Sequence, residues 1–449
     1  MAGSYQRLVV ILVRPSKYDD DGYVVRHWRG TLPSNSLACL TSLTEDVIAS
    51  GALGLDVHVE GYDDTVSRVD ARALARRYRR AGTKVVVGLV GVQTNQFPRA
   101  QDLACQFRAV GFDVIVGGFH VSGAAAVSPA MPPECQQLID AGVTLVLGEV
   151  EGRWGDILAD AVADRLQPVY DFLRVPPDLT DMPLPRAPLR ARKGSLLSQI
   201  GTIDASRGCP FACSFCSIIT VQGRTMRARS ARCIIDEVRR NYAMKGRHHV
   251  RHYFFTDDNF SRNPNWEAIF DGLARLREEE GTRIDFMMQV DTQAATIPGF
   301  VQKAARAGCI QVFIGIESLR DDNLKAGGKP QNRAADFRDM IARWHEAGVI
   351  CHAGYIIGFP YDTYDRVMED VRALAETMLV DQASFFMLTP IPGSRDHQAA
   401  KARGEALDAD YNNYDSFHAA RVHPRMSGEE WMRAFHDAWH EFYSFEHMR

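Results

Sequence analysis

Cys209, Cys213 and Cys216 lie in the stretch "SRGCPFACSFCSI" (206–218), three thiols within eight positions, with gaps of three and then two residues. Thiolates are soft ligands that suit zinc or iron–sulfur clusters. Structural zinc is normally closed by four ligands, often as two separated pairs, and the chain has no second pair. His248 or His249 could supply a fourth ligand, but both lie in a polar loop after a helical pattern. Three cysteines on one short loop suit a cubane cluster better. Each thiolate binds one iron and the fourth iron keeps an open position, which a catalytic centre needs. A zinc site and three structural cysteines are the competing readings. The other six cysteines (Cys39, Cys105, Cys135, Cys233, Cys309 and Cys351) are scattered singly. They read as buried thiols rather than a disulfide framework.

The trio has to be held by its flanks. "QIGTIDASRGC" leads into it as a strand, and a βα pattern resumes afterwards with "RHYFFTDD" (251–258), "RIDFMMQVD" (283–291), "CIQVFIGIES" (309–318), "ICHAGYIIGFP" (350–360) and "ASFFMLTPIP" (383–392). Helical runs such as "NWEAIFDGLARLREEEG" separate them. Six such units predict an open, partial (β/α)6 TIM-like barrel, with the chemistry at the C-terminal ends of its strands. Asp257, Asp258, Asp291, Glu317, Pro360 and Pro390 cluster at those ends. The last fifty or so residues are helical and polar and are expected to cap the barrel mouth. Trp431, Phe435 and Trp439 are helix-spaced there and read as core.

Upstream, "RLVVILV" (7–13), "LDVHVEGYD" (55–63), "KVVVGLVGV" (84–92), "DVIVGG" (113–118) and "TLVLGEV" (144–150) alternate with helical patterns that end in glycine. This α/β alternation predicts a doubly wound, flavodoxin-like parallel sheet covered on both faces. A proline-rich stretch without periodicity follows and reads as a connector. The expected division is 1–165, a 166–194 linker, a 195–395 barrel and a 396–449 helical extension.

The Cys-x3-Cys-x2-Cys spacing after a first barrel strand resembles the radical S-adenosylmethionine superfamily. "SRGCPFACSFC", "FFTDDNF", "FIGIES" and "GYIIGFP" resemble its cobalamin-binding branch, and "VIVGGFHVSG" and "LVLGEVEG" resemble the cobalamin-binding domain that precedes the barrel there. The resemblance implies a [4Fe-4S] cluster on Cys209, Cys213 and Cys216, whose open iron chelates the amino and carboxylate groups of S-adenosylmethionine. Reductive cleavage would then give a 5′-deoxyadenosyl radical that abstracts hydrogen from an unreactive carbon, the cofactors supplying the chemistry and the protein the positioning. Phe211 and Phe215 would shield the cluster, and Phe215 would also pack near the adenine. Asp257 and Asp258 would meet the ammonium group, against a plain capping role. Glu317 would bond the ribose hydroxyls, against an ordinary strand-end carboxylate. Gly358 and Pro360 would let the backbone approach adenosine, against a plain turn. Gln289 and Asp291 would point into the barrel.

For cobalamin, the resemblance places Gln93 and Thr94 against tail or corrin amides. Gly117, Gly118 and His120 would lie beside the nucleotide tail, with Gly148 and Glu149 completing the rim. A tight turn for the glycines and an internally satisfied histidine remain open. An Asp-x-His-x-x-Gly motif is absent after the first strand, and His27 is not spaced to replace it. The lower axial position is therefore expected to be empty, or approached by Trp28, Arg29 or a neighbour in the 14–37 loop. A degenerate domain that keeps the fold without the cofactor is the alternative.

The implied activity is cobalamin-dependent C-methylation of an unactivated carbon in a small metabolite, with an electron donor such as flavodoxin or ferredoxin. The alternatives are a radical cyclase or rearrangement enzyme whose N-terminal domain transfers no methyl, and a non-catalytic iron–sulfur or zinc protein. A net charge of −4 over 449 residues points to no nucleic-acid partner. The first apolar run is too short for a membrane span and lacks a signal-peptide cleavage pattern, so a cytoplasmic protein is expected.

Overall fold

The computed structural model describes residues 5–30, 32–186, 200–244 and 249–445. The chain divides into two compact units, Met1–Asp204 with Thr220–Gly223, and Ala205–Ile219 with Arg224–Arg449. Among the described residues no helix is long and apolar enough to cross a membrane.

The first unit is built on six parallel strands: β1 (Arg7–Arg14), β2 (Asp56–Asp63), β3 (Thr83–Leu89), β4 (Asp113–Gly117), β5 (Thr144–Leu147) and β6 (Val169–Asp171). Their order is β2-β1-β3-β4-β5-β6, which reverses direction between β1 and β3. β1 is covered on both faces, and Leu8 to Val13 are fully buried. Its sequence is therefore a continuous apolar run rather than an alternating one. The registers Val13↔Leu89, Leu89↔Val116 and Gly117↔Val146 bring the C-terminal ends of β1, β3, β4 and β5 to one edge. Helix Asn35–Ser50 starts where Ser34 accepts the Leu37 N–H and stops at Gly51, in the left-handed conformation (φ 63°).

β6 lies inside the stretch read as a connector. Three residues are too few to show a periodicity; their strand form comes from the register Leu145↔Val169 to Leu147↔Asp171 on β5. Residues 187–194 of the connector, and 195–199 at the start of the expected barrel, lie outside the described residues.

The second sheet contains β7 (Ile200–Ile203), β10 (His252–Phe255), β11 (Asp285–Val290), β12 (Cys309–Glu317), β13 (Ile350–Ile357) and β14 (Gln382–Met387). Its order, β14-β13-β12-β11-β10-β7, follows the chain, and β7 and β14 do not pair, so the barrel is open. A short antiparallel ladder of β8 (Ser206–Arg207) and β9 (Arg227–Ala228) closes the base of the loop that carries the three cysteines.

Along β11, β12 and β14 buried and half-buried positions alternate. The half-buried set includes Gln289, Phe313, Glu317 and Phe386. At the N-terminal end Gln311 bonds His352 (3.1 Å) and Gln382 (3.0 Å), and His352 bonds Ser384 (2.8 Å), a hydrogen-bonded polar layer.

Ser416, early in the C-terminal extension, lines a cavity with Glu317 at the strand ends, and the helix Gly428–Phe442 packs on β14. Tyr443 Oη, just beyond it, accepts from the Ala383 N–H (3.1 Å) and donates to the Ala383 carbonyl (2.8 Å). The helix thus protects the edge strand β14, whose free backbone groups would otherwise be exposed. Trp431 and Phe435 are buried, and Trp439 packs on Phe385 at 5.5 Å, the core role read from their spacing. Four of the scattered cysteines are buried, but Cys105 is exposed and Cys233 half-buried. Cys105 lies one step off the buried stripe Leu103, Ala104 and Phe107 of its helix.

Candidate active site

The cysteine loop starts at Gly208, whose φ of +95° turns the chain sharply before Cys209. Little of the loop is regular, so side chains and neighbouring loops hold it. Asp257, at the end of β10, is fully buried and accepts the Ala205 N–H (3.1 Å) and the Ser206 hydroxyl. Both of its oxygens thus accept from the base of the loop. Ser214 donates its N–H to the Gly327 carbonyl (2.9 Å) and accepts the Asp396 N–H (3.0 Å). Arg395 donates to the Ala212 carbonyl. Phe215 meets the edge of Phe359 at 6.0 Å, and a Cβ on Gly327 would lie 2.7 Å from that Phe359 ring.

Burial pushes all three thiols up, Cys213 to about 11 and Cys216 to about 12. Cys209 raises Cys213 further, and Cys209 and Cys213 raise Cys216, while Lys329 opposes the rise at Cys209 and Cys213. A bound cation would offset this penalty by stabilising the thiolates as their protons leave. Three thiolates on one tetrahedral zinc, with bonds of about 2.3 Å, would lie about 3.8 Å apart. Among the described residues the group of three ligand atoms within 4.8 Å of one another is His345, Cys351 and Asp381.

Asp258 is half-buried and acts electrostatically on Cys209 and Cys216, so it faces the trio. Glu317 stands at φ +69°, beside a register shift between Gly315 and Glu317, a conformation costly for a residue with a side chain. It is stabilised from one loop: Lys329 pairs with Glu317 Oε1 (2.5 Å) and donates to the Gly315 carbonyl (3.2 Å), and Asn332 donates to the Gly315 (2.9 Å) and Ile316 (3.0 Å) carbonyls. Burial would lower the Lys329 ammonium, but Glu317 and Cys213 outweigh it and hold the group charged. Glu317 and Phe215 together line a cavity of about 140 Å³ with Phe313, Ile356 and Phe386.

Gly358 and Pro360 are placed otherwise than expected. A Cβ on Gly358 would lie 2.1 Å from the Trp431 ring, so the space beside this glycine is filled by the C-terminal helix. Pro360 is exposed on the turn. Gln289 donates to the Asp257 carbonyl (3.2 Å) and Asp291 pairs with Arg262.

In the first unit, Gln93, Gly117, Gly118, Gly148 and Glu149 fall at the C-terminal edge of β3, β4 and β5. Gln93 is exposed and Glu149 half-buried. Thr94 is buried, and its Oγ1 has no hydrogen-bond partner among the described residues, which fits a ligand amide. The glycines answer to the protein itself. A Cβ on Gly118 (φ +142°) would lie 2.1 Å from the Val92 nitrogen, and one on Gly148 (φ +84°) 3.0 Å from the Leu173 nitrogen. One on Gly117 would lie 3.3 Å from the Val146 carbonyl. Two loops cross here, through Val92 N–H to Gly117 O (3.1 Å) and His120 N–H to Val92 O (3.0 Å). His120 is fully buried and stacked on Phe97 at 4.0 Å, so its ring packs the core rather than the rim. Trp28 is 83% exposed, with Arg29 stacked over it.

Sequence reasoning missed Lys329, Asn332, Phe359 and Arg395. The one local signal was a lysine directly after Gly327 and Gly328, in "LKAGGKPQN".

Residues 203–374, which carry most of the open parallel barrel and the three-thiol loop after its first strand, match the model of the Radical SAM superfamily. More particular likenesses extend over both units. The chain is 28% identical over 339 residues to the bacteriochlorophyllide d C-12(1)-methyltransferase of Chlorobaculum tepidum, covering 73% of this chain and 68% of that one. It is 27% identical over 342 residues to the bacteriochlorophyllide d C-8(2)-methyltransferase of the same organism, covering 74% and 72%. In fold it is similar to the radical S-adenosylmethionine methyltransferase TsrM from Kitasatospora setae, solved with cobalamin and a [4Fe-4S] cluster. That likeness has a TM-score of 0.70 at 16% identity, over 98% of this chain and 89% of the other.

Proposed function

We propose that this chain is a cobalamin-dependent radical S-adenosylmethionine methyltransferase that acts on an unactivated carbon of a small molecule. The observation that carries the reading is the braced three-thiol loop beside the Glu317–Lys329 cavity, within a Radical SAM domain. The similarity to methyltransferases along both units supports methyl transfer over cyclisation. In this reading residues 1–165 carry cobalamin, 195–395 the radical chemistry, and 396–449 support the barrel. An external one-electron donor of flavodoxin or ferredoxin type completes it.

Cys209, Cys213 and Cys216 would hold the cluster. Asp258, Glu317 and Phe215 would receive S-adenosylmethionine, and Gln93, Thr94 and Glu149 would contact cobalamin. When bound, these groups supply one-electron cleavage of S-adenosylmethionine to a carbon-centred radical and a transferable methyl group. The protein orients and excludes water: Phe215 and Phe359 pack apolar surface beside the trio, and Lys329 pairs with Glu317 and aims it. Absorption spectra of protein reconstituted anaerobically with iron and sulfide, with and without cobalamin, test the reading. Cluster and corrin bands that both survive desalting are expected, with 5′-deoxyadenosine formed on reduction. Failure to retain corrin would leave a radical enzyme without methyl transfer, and failure to retain iron would overturn the whole assignment.

A further inference from the structure

Arg262 has no role in the function proposed above, yet it is held from several sides beside the cysteine loop. Its Nε and Nη2 form a fork on Asp291 (2.7 and 2.8 Å), and Nη2 also donates to Gln293 Oε1 (3.0 Å). The guanidinium lies 5.2 Å from the centre of the Phe211 ring. Phe211 stands between Cys209 and Cys213, in a stretch without regular structure. Asp291 is itself braced, accepting Asn259 Nδ2 (3.0 Å) and the Ser261 hydroxyl (2.9 Å). Asn259 Oδ1 accepts the Ser261 hydroxyl (2.7 Å), and the Asn259 side chain also lies beside the Cys209 thiol. Asn259, Ser261 and Asp291 are all buried.

Burying an ion pair is costly, and such a pair rarely outdoes apolar packing on stability alone. This one ends on two groups of the cysteine loop: the ring of Phe211 through Arg262, and the sulfur of Cys209 through Asn259. A planar, rigid cation suits the first contact, because a guanidinium can pair in the plane with a carboxylate and present its face to an aromatic ring.

We propose that Arg262, braced by Asp291 and Asn259, is a positioning residue that fixes the Cys209–Cys213 arm of the loop before any cluster is present and places a fixed positive charge beside that arm afterwards. The inference rests on the trio being the cluster ligands, but its first test needs no cluster.

In full-length apoprotein at fixed pH, the alkylation rates of Cys209 and Cys216 by iodoacetamide are followed by mass spectrometry. Arg262→Met should speed Cys209 about tenfold, the factor lost with one partly buried cation–π contact, and leave Cys216 near wild type. Phe211→Leu should do the same, and the double variant should add nothing further, because both remove one contact. Arg262→Lys keeps the charge without the fork, so its Cys209 should react at an intermediate rate. In reconstituted protein, Arg262→Met should lower the midpoint potential of the cluster and Arg262→Lys restore it, whereas loosened packing alone would shift both variants alike. Equal acceleration at Cys209 and Cys216, no acceleration at either, or additive effects in the double variant would overturn the proposal. If Arg262→Met does not fold, Arg262→Lys and Phe211→Leu still decide it. If wild-type protein takes up no iron, the proposed function fails while the alkylation pattern still reports on positioning.

Discussion

Gly358→Ala should destabilise the second unit without acting on any ligand. Gly358 has φ +115°, and a Cβ there would lie 2.1 Å from Trp431 Cζ2 and 2.5 Å from Cε2. The indole has nowhere to go. Trp431 is fully buried, its Nε1 donates to the Ile357 carbonyl (3.0 Å), and His423 packs on it at 5.2 Å while bonding the Phe359 carbonyl (2.9 Å). A side chain in the left-handed region costs about 1–2 kcal/mol. Forcing an extra carbon into packed core costs about 1–3 kcal/mol. Together they give roughly 2–5 kcal/mol, a fall of roughly 4–20 °C in melting temperature for a unit of this size. Trp431→Ala alone should cost about 3–5 kcal/mol. The double variant should cost less than the sum, because the clash is removed with the ring while the backbone term remains. The assay is thermal melting of anaerobic apoprotein by circular dichroism, with S-adenosylmethionine affinity measured well below the melting point on reconstituted protein. If Gly358→Ala melts with wild type but loses S-adenosylmethionine binding, the glycine serves the ligand and the argument from Trp431 is wrong.

Cys209→Ala, Cys213→Ala and Cys216→Ala should each lose cluster iron, while Cys105→Ala, Cys233→Ala and Cys351→Ala keep it; equal losses in all six would remove the trio as the ligand set. Asp257→Ala leaves the Ala205 N–H and the Ser206 hydroxyl without their acceptor, a cost of about 1–3 kcal/mol, and should speed hydrogen exchange across 205–217. Glu317→Gln should weaken S-adenosylmethionine binding about tenfold to a hundredfold, as loss of a charge-assisted bond implies, with iron content unchanged; unchanged affinity removes Glu317 from the site. Burial holds His352, His397 and His423 below the ordinary imidazole range, His397 to about 4. The unfolded chain then binds these protons more readily than the folded one. Stability should be fully present above about pH 6.5 and decline toward pH 4, by up to about 1.4 kcal/mol per pH unit for each histidine. His397→Leu should flatten the melting profile between pH 7 and pH 5, and an unaltered slope would contradict the assignment.

Features that one stretch of chain carries alone are legible in the order of its residues. The 3-and-2 spacing sets three thiols on one loop whatever surrounds them. The apolar runs at 7–13 or 350–357 declare buried parallel strands because both of their faces must be covered. The order of strands and helices then restricts the topology to a doubly wound sheet and an open barrel. The surroundings of each polar or glycine residue at a strand end emerge only in the folded chain. Asp257 and Asp258 are adjacent, yet one bonds the base of the cysteine loop and the other faces its sulfurs. Gly118 and Gly358 read as room for a cofactor, and the room is taken by the Val92 backbone and by Trp431. β6 exists because β5 offers it a free edge, and Lys329 and Arg262 sit far along the chain from the cysteines they serve. The physical reason is common to these cases. Spacing and periodicity record how a segment meets its own neighbours. The role of a carboxylate, a cation or a missing Cβ is set by the atom a few ångströms away, and that atom is supplied by residues tens to hundreds of positions distant.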